Sequence, residues 1–205
     1  MSVLGVVICG ISVGAFKFVA FGVDPFQSLM SGLDAIIPIR FGTLYLIVNA
    51  LMLAFIILID KKKIGIATFV NIFLLGYITE FSQHICQKLM PNASLLTRVV
   101  VLAVALIFLG LSSALYFTAD LGVSTYDAVA LIWSERQGKI KFTFCRVITD
   151  FICVAAGVGL LYFSGMTTLE VLGSVGIGTI ITAFFMGPMI SFFKTHVALP
   201  ILDKD

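Results

Sequence analysis

Few side chains in this chain can do chemistry, and most of those sit in apolar surroundings where a charge is expensive. Glu80 lies inside an apolar run over 64–85, and Lys17 lies near the end of a run over 3–21. Asp150 follows Arg146 by four residues within a run over 142–163, a spacing that puts both on one helical face. Asn49 belongs to a run over 41–59, and Asn71 and Thr79 share the run of Glu80. Ionisable groups at membrane depth are costly and are functional candidates for that reason. Glu80, with no short route to the surface, is a candidate proton or cation site. Lys17 either pairs with Glu80 or carries its ammonium to the interface. Asp150 is either a binding group or the local partner of Arg146. Asn49 and Asn71 are either binding groups or interhelical hydrogen-bonders.

A nucleophile paired with a base, an HExxH motif, a P-loop and a glycine-rich nucleotide fingerprint are all absent. His84 and His196 stand alone, and Cys9, Cys86, Cys145 and Cys153 have neither CxxC spacing nor a histidine at ligand spacing. The expectation is a protein that is not an enzyme and holds no metal or cofactor. Its cysteines read as small buried thiols.

The elements that position these groups follow from composition. Of 205 residues, 60% are hydrophobic and 12% charged, against roughly 25% charged in a soluble domain. Runs over 3–21, 41–59, 64–85, 99–119, 142–163 and 170–193 approach the ~20 residues that a helix needs to cross a ~30 Å hydrocarbon core. They are continuously apolar, without the alternation of a membrane β-barrel. The fold class read from this is all-α, a polytopic membrane bundle of six transmembrane helices. The first run has no basic segment before it and carries Lys17 where a cleavage site would need small residues, so it reads as a mature helix.

Six crossings put both termini on one side. Lys61, Lys62, Lys63, Arg136, Lys139, Lys141, Lys194 and Lys204 then share that side, against Arg40, Lys88 and Arg98 on the other. The positive-inside rule makes the terminal side cytoplasmic. A net charge of +2 gives no reason to expect nucleic acid as a partner.

The chain also repeats itself. At an offset of 100, Gly10-Ile-Ser12 matches Gly110-Leu-Ser112, Gly22-Val23 matches Gly122-Val123, and Phe26 meets Tyr126; at 101, Asn49 meets Asp150; at 102, Gly76 meets Gly178. This divides the chain into a first three-helix repeat over 1–96 and a second over 97–205. Three crossings is an odd number, so the copies are inverted, an arrangement that transporters use to build two gates around one midplane site.

Each copy carries a break and restart. In Gly22-Val-Asp-Pro-Phe-Gln27, Asp24 is a helix N-cap, Pro25 fits the first helical position and Gln27 stands at the capping-box position. In Gly122-Val-Ser-Thr-Tyr-Asp127, Ser124 caps and Asp127 reaches back. Gly22 and Gly122 are the hinges. Each restart opens an amphipathic segment of about ten residues, ~15 Å long. It is either a re-entrant half-helix presenting its N-terminus to a solute or a connector lying flat at the interface.

At these residues the chain resembles the YczE/YitT-like family of bacterial integral membrane proteins. The resemblance is carried by LGVSTYDAV from Leu121, GIGTIITAFFMGPMISFF from Gly176 and GVDPFQSLMSGL from Gly22, and covers nearly the whole chain. The family pattern is Gly-x-Ser-Pro-aromatic-Asp; here Asp24 replaces Ser and Gln27 replaces Asp in the first copy, and Thr125 replaces Pro in the second. The resemblance implies an architecture and a place in the bacterial cell membrane, without a settled substrate.

The function expected is a small-solute transporter or permease with a polar site between its repeats. Glu80 would couple or bind, Asn49 and Asp150 would form a symmetric pair, and Lys17 and Asn71 would be further contacts. The alternative is a non-catalytic membrane subunit: the substrate-capturing component of an energised transporter, or an accessory protein in a signalling or export complex. The expected partners are the lipid bilayer, an unknown small solute, and either a second copy of the chain or another membrane protein.

Overall fold

The computed structural model describes residues 2–60, 64–119, 122–138 and 142–202, and the regular elements among them are all helical. Lys61, Lys62, Lys63, Lys139, Lys141 and Lys204 of the charge count, and Leu121 of the second motif, lie outside the described residues. The helices are α1 (Ser2–Val19), α2 (Pro25–Ile36), α3 (Phe41–Asp60), α4 (Ile66–Leu89), α5 (Leu95–Thr118), α6 (Thr125–Gln137), α7 (Phe142–Phe163), α8 (Thr168–Ser174) and α9 (Ile177–Phe193). A π-helical turn over Lys194–Ala198 leads into α10 (Leu199–Leu202).

Among the described residues, four stretches are long and apolar enough to cross a membrane: α3, α5, α7 and Thr168–Ile201. The apolar part of α1 is shorter, Val3–Val19. Helix α4 has 24 residues, but Asn71, Glu80, Gln83 and His84 dilute its hydropathy. Large apolar side chains cover the outside, Leu58 at 85% and Phe163 at 83% exposure being extreme. That is a surface for lipid, because a water-soluble monomer does not leave such a patch uncovered.

Helices α1 and α4 run parallel, since Gly10 lies against Leu75 and Ile78 and Gly14 against Thr79 and Ser82. The Ser82 hydroxyl donates to the Ile11 carbonyl across this contact at 2.9 Å. Helices α1 and α5 run antiparallel: Gly5 touches Ser112 and Tyr116, while Val19 shares a buried cluster with Leu102 and Ala105. The short helices α2 and α6 leave and return at one end of the bundle. For α2, the Lys17 ammonium at the end of α1 lies 3.3 Å from the ring centroid of Phe41 at the start of α3. For α6, Phe117 at the end of α5 meets Phe142 at the start of α7, with centroids 5.8 Å apart.

The run over 170–193 is not one helix. It breaks at Val175 and Gly176, between α8 and α9, whereas Gly187 and Pro188 lie within α9. The break persists because another segment takes its backbone groups. Gly22 N–H donates to the Gly173 carbonyl (3.2 Å), Val23 N–H to the Ser174 carbonyl (3.1 Å), and Gly178 N–H to the Phe21 carbonyl (2.8 Å).

The same geometry recurs in the other half. Gly22 (φ +101°) sits against Gly176 and Thr179, and Gly122 (φ +98°) sits against Gly65 and Thr68. Gly176 N–H donates to the Thr179 hydroxyl, as Gly65 N–H does to the Thr68 hydroxyl, each at 3.3 Å. These pairs set α4 against α9 at an offset of 111 rather than the 102 read from Gly76 and Gly178. The seven residues of α8 account for most of that difference.

Candidate functional site

The site grows from the two breaks. At Gly22 and Gly122 the backbone is in the region that side chains avoid, and a Cβ would run into the facing glycine. Each turn delivers a capped N-terminus inward. The Asp24 carboxylate accepts from Gln27 N–H at 3.2 Å, and the Ser124 hydroxyl accepts from Asp127 N–H at 3.0 Å. The first residues of α2, Pro25 to Ser28, are all buried. Rings at equivalent positions then meet: Phe26 of α2 stacks on Tyr126 of α6 with centroids 5.0 Å apart.

Arg146 of α7 lies across from these caps. Its guanidinium pairs with Asp127 through Nη1 and with Asp150 through Nε at 3.2 Å. Side-chain exposure is 11% for Arg146, 10% for Asp127 and 1% for Asp150. The pairing that the i, i+4 spacing suggested is therefore present, and it is half of a larger cluster. The Tyr126 hydroxyl donates to Asp150, and the guanidinium lies 4.6 Å from the Tyr126 ring centroid. The Tyr116 hydroxyl donates to Asp127 and accepts from Ser124 N–H at 2.8 Å, while the Ser124 hydroxyl donates to Asp127 at 2.7 Å. Buried carboxylates persist when their oxygens are satisfied in this way.

On the opposite wall Asn49 is buried. Its amide donates to the Tyr45 carbonyl at 2.8 Å, and its carbonyl oxygen accepts from the Thr125 hydroxyl at 2.6 Å. A cavity of about 80 Å³ lies between the walls, lined by Asp24, Gln27, Asn49, Asn71, Ser124, Tyr126, Asp127, Arg146 and Asp150 among others. The structure thus gathers Asn49, Asn71, Asp150, Asp24, Pro25, Ser124 and Asp127 of the expected residues around one space.

Glu80 and Lys17 lie elsewhere. They line a second, more open cavity of about 350 Å³ with Asp34, Val23 and Gln83. Glu80 is exposed, and the Lys17 ammonium rests on Phe41. Val23 faces this cavity and its neighbour Asp24 faces the central one, so a single turn of chain parts the two.

The sequence alone presents Arg146 only as the partner of Asp150, and Tyr116 and Tyr126 only as aromatic positions of the repeat, opposite Phe16 and Phe26. A signal existed: Tyr45 and Arg146, like Asn49 and Asp150, are equivalent at an offset of 101, so one repeat position is an arginine in an apolar run.

Comparisons place the chain among proteins without an established activity. It is 21% identical over 202 residues to the uncharacterized protein YyaS of Bacillus subtilis, covering 98% of this chain and 92% of that one. It is 22% identical over 174 residues to the uncharacterized membrane protein YczE of the same organism, covering 84% and 74%. A third relative, an uncharacterized protein of Haemophilus influenzae, is 25% identical over 192 residues, covering 93% and 80%. No solved structure matches the chain. With its apolar helices and its likeness to YczE, the chain is an integral membrane protein. The match over residues 1–195 makes it a member of DUF6198, a family of unknown function, in line with the YczE-like resemblance of its motifs.

Proposed function

We propose that the protein is a small-solute transporter or permease of the bacterial cell membrane, built from two inverted three-helix repeats with its termini in the cytoplasm. In this reading α1, α3 and α4 form the first set of crossings, and α5, α7 and the α8–α9 stretch form the second. Helices α2 and α6 are re-entrant halves. The single observation that carries the proposal is that capped N-termini from both halves, at Asp24 and Ser124, open on one cavity that Asn49, Arg146 and Asp150 also line. The matched contacts of Gly22 with Gly176 and of Gly122 with Gly65 support the duplication. On this symmetry the Gly22 turn closes the outer side and the Gly122 turn the inner side.

The test is uptake by proteoliposomes containing this protein alone, with a pool of small charged and neutral solutes read by mass spectrometry. At least one solute should accumulate down its gradient, and Asp150→Asn should abolish that flux. Glu80→Gln, which alters only the outer cavity, should lower the rate while leaving flux measurable. Solutes retained at equilibrium without flux would favour a substrate-capturing subunit instead.

A further inference from the structure

We propose that the central cavity binds a small organic cation bearing N–H donors, of the alkylammonium type, with Asp24 as its counter-ion and the Gln27 carbonyl oxygen as its acceptor. The inference rests on the reading of this cavity as a solute site and names the class of solute.

Charge comes first. The cavity is lined by three carboxylates, Asp24, Asp127 and Asp150, and one guanidinium, Arg146. Arg146 is committed to Asp127 and Asp150. Asp24 makes no ion pair among the described residues, and its described side-chain bond is the cap from Gln27 N–H.

Hydrogen bonding points the same way. Gln27 is 2% exposed, lines the cavity, and its Oε1 has no hydrogen-bond partner. A buried acceptor without a donor is costly, and a donor-bearing solute would relieve it. The opposite class is poorly served. Two helix N-termini would ordinarily attract an anion, but at each of them one N–H, that of Gln27 and that of Asp127, is already taken by the cap. Asp24 and Asp127 place negative charge where an anion would sit.

The walls separate an organic cation from a metal ion. Phe26 and Tyr45 line the cavity, and aromatic faces attract ammonium groups carrying little water. Among the described residues no His, Cys, Asp and Glu group could hold a metal. The outer cavity continues the trend, with Asp34 and Glu80 against Lys17.

The experiment is calorimetric titration of the purified protein in detergent with methylammonium chloride, against sodium chloride, potassium chloride, acetamide and sodium acetate at matched ionic strength. Methylammonium should bind and the others should not. Asp24→Asn should weaken binding by about tenfold or more, the scale of a lost hydrogen bond to a charged group; asparagine caps a helix as well as aspartate, so the fold is kept. Gln27→Met should weaken it by about threefold to tenfold. The proposal is overturned if methylammonium fails to bind the unaltered protein, if acetate, acetamide or an alkali chloride binds as tightly, or if Asp24→Asn leaves binding unchanged. Asp24-dependent binding without flux in proteoliposomes would remove the transporter reading and keep the solute class. Flux of anions or neutral solutes alone would do the reverse.

Discussion

Arg146 holds the second half of the site together, because two carboxylates on different helices, Asp127 of α6 and Asp150 of α7, depend on its charge. Breaking a buried ion pair by removing one partner costs about 3–5 kcal/mol. Arg146→Gln leaves two buried carboxylates without their shared cation, whereas Asp150→Asn leaves Arg146 still paired with Asp127 and keeps an acceptor for the Tyr126 hydroxyl. Thermal unfolding in detergent should therefore show a larger fall in midpoint for Arg146→Gln than for Asp150→Asn. Equal falls would mean that the Asp127 pair contributes nothing. Asp150 and Asn49 were legible in the sequence because a polar residue in an apolar run is visible without knowing its neighbours. The links of Arg146 to Asp127 and of Asn49 to Thr125 were not, since each joins helices that only the fold brings together.

At the scale of elements, the two breaks were legible and their partners were not. Glycine, a cap and a helix restart are read within six residues, so the breaks at Gly22 and Gly122 needed no tertiary information. The break between α8 and α9 did: it shows only when the Phe21–Val23 turn is seen bonded to Gly173, Ser174 and Gly178. Two requirements meet at each hinge, a positive φ and room beside a facing glycine. Gly22→Ala and Gly122→Ala should each cost about 1–3 kcal/mol from backbone strain alone, with the clash added. Gly159→Ala in α7 is the comparison, because nothing lies within 4 Å of an added methyl there. Unfolding midpoints should fall for both hinge variants by similar amounts and hold for Gly159→Ala. A large effect at one hinge alone would contradict the equivalence of the two halves.

The whole molecule is tied together by parity. Helices α1 and α4 run parallel, and α1 and α5 antiparallel, so a chain that leaves the cytoplasm in α1 leaves it again in α4 and returns in α5. The chain through α2, and again through α6, returns to the end of the bundle it left, since Lys17 meets Phe41 and Phe117 meets Phe142. In the proposed orientation the α4–α5 turn is then outside and the α6–α7 turn inside, as the basic residues favour. Asn92 in the first turn and Gln137 at the end of α6 are both exposed, so a cysteine at either would be open to reagent. The native cysteines form a low background, since Cys145 and Cys153 are buried and Cys9 and Cys86 only partly exposed. In intact cells a membrane-impermeant maleimide should label Asn92→Cys and spare Gln137→Cys, and in inverted vesicles the pattern should reverse. If α6 crossed the membrane instead of turning back within it, both positions would be labelled from one side. That pattern would dismantle the inverted repeat and, with it, the argument that one cavity is reached by two opposed gates.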